Sequence, residues 1–328
     1  MSKDPTPYAT LTPELILDAV EELGFVTDSR LLALNSYENR VYQIGLETQP
    51  PIIVKFYRPE RWSDESILDE HRFIKQLHAL EIPAVAPLEP EQGQTLYRFK
   101  GFRYTLFPRA SGHAPELDNE EHLRWLGRFL GRIHEAGRQL PLEHRPVLNF
   151  EQFGFNNMNY LIDHQFIPDY LGPAYESVAK EALTLASDFF KPFANSSALT
   201  LHGDCHPGNI LWSHEGPVFV DFDDCLRGPV MQDIWMLLSG SPNEMLRQLD
   251  VLMEGYTLFS TFDHRQVQLI EPLRTLRLVH YSAWIAKRWH DPAFPQAFPW
   301  FNQGQYWESH INALREQVGI MQEPFIDL

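Results

Sequence analysis

The stretch His202-Gly203-Asp204-Cys205-His206-Pro207-Gly208-Asn209-Ile210-Leu211-Trp212, with Val220-Asp221-Phe222-Asp223-Asp224 downstream of it, decides how the rest of the chain is read. Its order is a carboxylate, an amide five residues later, an apolar strand, the turn Ser213-His214-Glu215-Gly216-Pro217, a second apolar strand and further carboxylates. Phosphoryl transfer asks little of a protein: one group to orient the attacking hydroxyl and a few oxygen ligands to hold a divalent cation on the phosphates. The two strands of a hairpin bring Asn209 and Asp221 together at their ends. Magnesium prefers such a sparse carboxylate-and-amide shell, completed by phosphate oxygens and water. Any one of these residues is an ordinary turn former; the ordered combination is what points to chemistry.

Upstream, Thr12-Pro13 opens an amphipathic helix over 12–23, with Leu15, Ile16, Ala19, Val20 and Leu23 on one face and Gly24 at its end. Strand-like pieces follow over 31–46 and 51–57, with Tyr37 and Asn39 between apolar runs as a hairpin connection. A helix over 63–80 has Ser63 as its cap, acidic residues in its first turn and Ile67, Phe73, Ile74 and Leu77 at helical spacing. Two further short strands, QTLYRF and FRYTLFP, precede the proline-bounded linker Pro108–Pro115. Beyond it the pattern is helical over 118–139, 173–190, 229–240, 243–259 and 265–290, interrupted by the β-rich insertion at 199–224. The first ten residues read as a loose terminus.

The chain has 328 residues, of which 44% are hydrophobic and 22% charged, enough to bury a core in each of two lobes. Its 27 basic and 44 acidic side chains leave a formal charge of −17, which repels nucleic acid and anionic membrane surfaces. Two cysteines, Cys205 and Cys225, make no disulfide framework. The N-terminus lacks a signal-peptide pattern, and no apolar run approaches the ~18 residues of a membrane span. The expectation is a cytoplasmic monomer with neither nucleic-acid nor membrane partners.

HGDCHPGNILW and VDFDD resemble the catalytic loop and metal-binding segment of the aminoglycoside phosphotransferase and choline kinase-like superfamily of the protein-kinase fold. With LNSYENRVYQ, IVKFYRPERW, RGPVMQDIWMLL and DPAFPQAFPWF, the chain resembles the bacterial stress response kinase A family from about Leu11 to its end. The resemblance implies an α+β, bilobal kinase-like fold, with an N-terminal nucleotide-binding lobe over 1–108 and a mainly helical catalytic lobe over 109–328. It implies ATP and Mg²⁺ as cofactors and a Ser or Thr hydroxyl on protein as acceptor, including autophosphorylation. Asp204 would be the catalytic base. Asn209 and Asp221 would hold magnesium, Asp221 being catalytic as well. Ser36 would lie in the loop over the nucleotide phosphates, Lys55 would reach the α- and β-phosphates, and Glu70 would pair with Lys55. A lysine between Val54 and Phe56 in an apolar strand independently asks for such a partner, although Glu65 and Asp69 lie on the same helix.

Two departures from the protein-kinase pattern stand out. Asn35-Ser36-Tyr37-Glu38-Asn39-Arg40 replaces a glycine-rich loop, and Asp221-Phe222-Asp223 replaces Asp-Phe-Gly. Asp223 is therefore either a second metal ligand or a supporting residue. His202, Cys205 and His206 lack zinc-site spacing and read as structural support. Asp233 reads as an acceptor for catalytic-loop backbone, and Gly127/Gly131 as a close helix contact. A small-molecule kinase shares every catalytic residue. A non-catalytic nucleotide-binding regulator would have no need of Asp204.

Overall fold

The computed structural model describes residues 7–193 and 198–323. Residues 1–6, most of the stretch read as a loose terminus, lie outside the described residues. The N-terminal lobe is an antiparallel sheet of β1 (Thr27–Ala33), β2 (Arg40–Leu46), β3 (Ile52–Phe56), β4 (Tyr97–Phe99) and β5 (Phe102–Pro108), in the order β1-β2-β3-β5-β4. Helix α1 (Pro13–Glu21) starts where the Thr12 hydroxyl accepts the Leu15 amide. Its Ile16, Ala19 and Val20 join Ile44, Ile52, Val54, Phe56, Tyr104 and Leu106 in one apolar cluster. Strand residues alternate between faces, so with Val54 and Phe56 in that cluster, Lys55 points the other way. It is paired in register with Val41 and Thr105.

Helix α2 (Asp64–Ala79) is capped by Ser63, whose hydroxyl accepts the Ser66 amide. Its Phe73, Ile74 and Leu77 belong to the core of the second lobe, not to the sheet core. Phe73 meets Phe222 edge-on at 5.8 Å. The helix is thus shared by both halves of the molecule.

The second lobe packs α3 (Glu120–Gln139), α4 (Asn156–Asp163), α5 (Gly172–Phe190), α6 (Met231–Ile234), α7 (Pro242–Tyr256), α8 (Ile270–Lys287), α9 (Ala293–Ala297) and α10 (Gly304–Gln322) around one large core. A methyl group at Gly127 would sit 1.9 Å from the Leu252 carbonyl oxygen, so the glycine permits the close approach of α3 to α7. The helix expected over 229–240 is cut to the single turn of α6 and a 3-10 turn over Trp235–Leu237. The backbone becomes extended at Leu238, ahead of the Ser241 cap of α7. Helices α4, α9 and α10 were not expected. On α10 the polar His310 and Gln317 occupy the buried face and dilute the apolar repeat. Among the described residues, no helix is long and apolar enough to cross a membrane.

The β insertion is two nested ladders. The outer one pairs β6 (Leu199–Leu201) with β9 (Leu226–Gly228), and the inner one pairs β7 (Ile210–Ser213) with β8 (Gly216–Phe219). Nesting leaves two connections side by side, 202–209 and 220–225. These are the segments singled out in the sequence.

Candidate active site

The 202–209 connection is fixed by backbone bonds. The Asp233 carboxylate accepts the amides of His202 and Gly203, each at 2.8 Å. His202 Nε2 donates to the Val220 carbonyl at 2.9 Å, and the Val220 amide to the Asn209 carbonyl at 3.0 Å. Gly203 has φ +88°, and a Cβ there would lie 2.1 Å from the Asp224 carbonyl oxygen, so only glycine lets the two connections touch. Asn209 Nδ2 donates to the Asp204 carbonyl at 3.0 Å, which commits its nitrogen and leaves its oxygen as a possible ligand atom.

Asp221 lies two residues past β8, not in a strand as expected, in the left-handed region at φ 58° with its side chain about half exposed. A non-glycine residue held there is strained, and such strain concentrates at functional sites. Lys55 Nζ lies 3.4 Å from Asp221 Oδ1, 3.2 Å from Glu70 Oε1 and 2.9 Å from Asp223 Oδ1. Burial alone would lower the lysine pKa, but Asp223 and Glu70 outweigh it and hold the ammonium well above its usual range. Of the other acids on α2, Asp69 pairs with Arg72 and Glu65 is exposed. Behind Lys55 the Tyr57 ring lies 5.0 Å from Nζ. The Tyr57 hydroxyl meets His71 Nε2 at 2.7 Å, and burial pushes the His71 pKa down to about 3.

Asp204 faces Arg277 of α8, whose Nη1 donates to Oδ1 at 2.7 Å, and His206 Nε2 lies 3.5 Å from Oδ2. Burial would raise the pKa of this carboxyl, but the His206 and Arg277 contacts win and hold it well below the ordinary range. Asp204 is therefore a carboxylate at any physiological pH. It is suited to orienting a hydroxyl and accepting its proton late in transfer.

Asp223, read from sequence as either a second metal ligand or a supporting residue, takes the supporting place, and Arg58, Arg61, Arg288 and Asp291 were not singled out by sequence. Asp223 is fully enclosed: burial would raise its pKa, but Arg61 and Lys55 hold it low, and both its oxygens already face these cations. Arg61 also pairs with Asp224. Glu38, in the β1–β2 loop beside Ser36, ion-pairs with Arg58 Nε at 3.0 Å and Arg288 Nε at 2.6 Å, and its carboxylate accepts a hydrogen bond from Trp284 Nε1 at 2.7 Å. Arg58 also reaches Asp291 at 2.7 Å, and Tyr37 rests on Phe298 at 5.0 Å between centroids. Ser36 itself is half-buried in this loop. Cys205 and Cys225 are buried. Among the described residues, no group of three or more His, Cys, Asp or Glu side chains forms a metal site. Asn209 with Asp221 offers two hard oxygens, the donor type and number that magnesium takes from protein when phosphates supply the rest.

A nested-ladder site of this kind on a bilobal α+β scaffold defines a phosphotransferase of the kinase-like fold. The phosphotransferase enzyme family model matches residues 30–270. The serine/threonine protein kinase RdoA of Salmonella typhimurium is 42% identical over all of this chain and 99% of its own length, and stress response kinase A of Escherichia coli K12 matches to the same extent. The chain belongs to the phosphotransferase enzyme family and, within it, to the stress response kinase A group. It is an ATP-dependent kinase. Among solved structures, amicoumacin kinase in complex with AMP-PNP, Ca²⁺ and Ami superposes with a TM-score of 0.73 at 18% identity, over 96% of this chain and 95% of that one. A microcompartment-associated aminopropanol kinase gives 0.70 at 15% identity, over 94% and 96%. At such identities these two likenesses concern the fold.

Proposed function

We propose that the chain transfers the γ-phosphoryl group of ATP to a serine or threonine hydroxyl on protein, itself included, with Mg²⁺ as the metal. The observation that carries this reading is the meeting of Asp204, Asn209 and Asp221 on adjoining connections, with Lys55 in reach of Asp221. Asp204, steadied by Arg277, orients the acceptor hydroxyl and takes its proton. Lys55, held by Glu70, meets the α- and β-phosphates, and the loop with Ser36 covers them. The adenine lies against the segment around Leu106–Ala110, at the junction of the lobes 1–108 and 109–328. Asn209 and Asp221 would hold the magnesium, which neutralises phosphate charge when bound. The AMP-PNP and Ca²⁺ named for the amicoumacin kinase support the use of a nucleotide and a divalent cation.

The protein acceptor is favoured by the full-length relatives at 42% identity, one of which is named a serine/threonine protein kinase. Small-molecule kinases share only the fold, at 15–18%. The protein is proposed to act as a cytoplasmic monomer. The test is incubation with γ-labelled ATP, a generic basic protein and a panel of small amino-alcohols, sugars and aminoglycosides. Label on serine or threonine of protein is the expected result. Label on a small alcohol alone would move the acceptor to the small-molecule class.

A further inference from the structure

One buried cation in this molecule has no role in the transfer chemistry described so far. Arg145 lies in the connection between α3 and α4, far in sequence from both catalytic segments, and its side chain is 0% exposed. Its Nη2 lies 3.0 Å from Glu70 Oε2, its Nε donates to the Ser66 carbonyl at 2.8 Å, and its Nη1 donates to the Asp223 carbonyl. The Trp62 ring covers the guanidinium at 4.4 Å. Glu70 therefore holds Lys55 with one oxygen and Arg145 with the other.

The backbone around Arg145 is stitched in both directions. Toward α2, the His144 amide donates to Asp69 Oδ2 and the Ser66 hydroxyl to the His144 carbonyl, both at 2.8 Å. Toward β9, the Leu148 amide donates to the Arg227 carbonyl at 2.8 Å and the Arg227 amide to the Pro146 carbonyl at 2.9 Å. One short connection thus ties the helix that carries Glu70 to the strand that follows Asp221–Asp224. A guanidinium suits this place because its planar fork serves three acceptors in fixed directions; a lysine ammonium on a flexible stem does not.

We propose that Arg145 is a positioning residue for phosphotransfer. It sets Glu70, and through it Lys55, in register with the Asp221–Asp224 segment, so that the second lobe dictates where the lysine of the first lobe stands. The proposal deepens the kinase reading and rests on it. Partners that orient a functional group are worth roughly 10–100-fold when lost, and alignment is felt mainly in the transition state.

The experiment compares wild type, Arg145→Lys, Glu70→Gln and the double variant by kcat and ATP KM, with thermal unfolding and backbone hydrogen exchange on the same samples. Arg145→Lys keeps the buried charge and is expected to fold. Its kcat should fall about 10–100-fold with ATP KM changed less than about threefold. Exchange should quicken in 64–79 and 220–225 together, and stay unchanged in α7 and α10. Adding Glu70→Gln to Arg145→Lys should cost much less than Glu70→Gln alone, because groups acting as a unit are not additive. Wild-type kcat in folded Arg145→Lys, or fully multiplicative losses, would overturn the proposal. Should the wild type itself transfer no label, the kinase reading is what fails. Exchange then still decides: unchanged protection in 64–79 and 220–225 removes the coupling.

Discussion

The two walls of the cleft are held by different forces. The catalytic wall, residues 202–224, is anchored by backbone amides and carbonyls, with Asp233 and His202 as its fasteners. The opposite wall, built from the β1–β2 loop and the segment after β3, is anchored by side-chain charge: Glu38 to Arg58 and Arg288, Arg58 to Asp291, Arg61 to Asp223 and Asp224. Backbone bonds inside nested ladders have few alternative partners, so the first wall is pre-organised. The ion pairs of the second wall are largely buried, so that wall holds its shape only while each charge keeps a partner.

This contrast can be tested residue by residue. The largest effect is expected at Asp221, the proposed metal ligand on the rigid wall. Asp221→Ala should lower kcat on the order of 10³-fold, since a bound cation supplies several kcal/mol of charge stabilisation. The same variant should lose the magnesium dependence of nucleotide affinity. Asn209→Ala should do likewise, less severely, because an amide brings no net charge. Titration of a fluorescent nucleotide with and without magnesium checks both, and magnesium-independent affinity in wild type would contradict the assignment.

A middle-sized effect is expected on the ionic wall. Glu38→Gln leaves the Trp284 donor and the cations Arg58 and Arg288 facing a neutral acceptor, and a charge-assisted hydrogen bond is worth about 1.5–3 kcal/mol. If Glu38 holds the loop over the phosphates, steady-state kinetics should show the ATP KM rising roughly ten- to a hundredfold, with a smaller change in kcat. A fall in kcat at constant KM would mean that this wall shapes the transition state and does not merely retain nucleotide. The smallest effect is expected at Ser36. Phosphate-covering loops grip chiefly through backbone N–H groups, so Ser36→Ala should raise the apparent ATP requirement roughly two- to tenfold, the worth of one neutral hydrogen bond. Complete loss of activity in a folded variant would give that hydroxyl a direct part in transfer.

The same contrast explains what could be read from the sequence. Asp204, Asn209 and Asp221 lie within one short stretch, and the hairpin pattern between them brings them together. Asp233, on the next helix, is equally near. The sheet and α1 and α2 were legible because caps and periodicity are local signals, as at Thr12 and Ser63. The partners of Glu38, by contrast, are Arg58 just past β3 and Arg288 at the end of α8, and no local pattern joins them. Arg145 is hidden for the same reason: its neighbours in sequence are loop residues, and its contacts come from α2 and the Asp223 carbonyl. Asp221 was expected in a strand. Its left-handed backbone lies where the two connections run side by side, a tertiary arrangement that no local pattern announces.

The claim on which the account rests is that Asp204 acts on the acceptor, not on the nucleotide. Transfer of label from γ-labelled ATP should be measured for wild type and Asp204→Asn, with magnesium-nucleotide affinity determined on the same samples. A positioned base contributes about 10²–10⁴ in rate, so turnover should fall by that factor while nucleotide affinity stays within about threefold of wild type. Wild-type turnover in Asp204→Asn, or a loss of activity matched by an equal loss of nucleotide binding, would contradict the account.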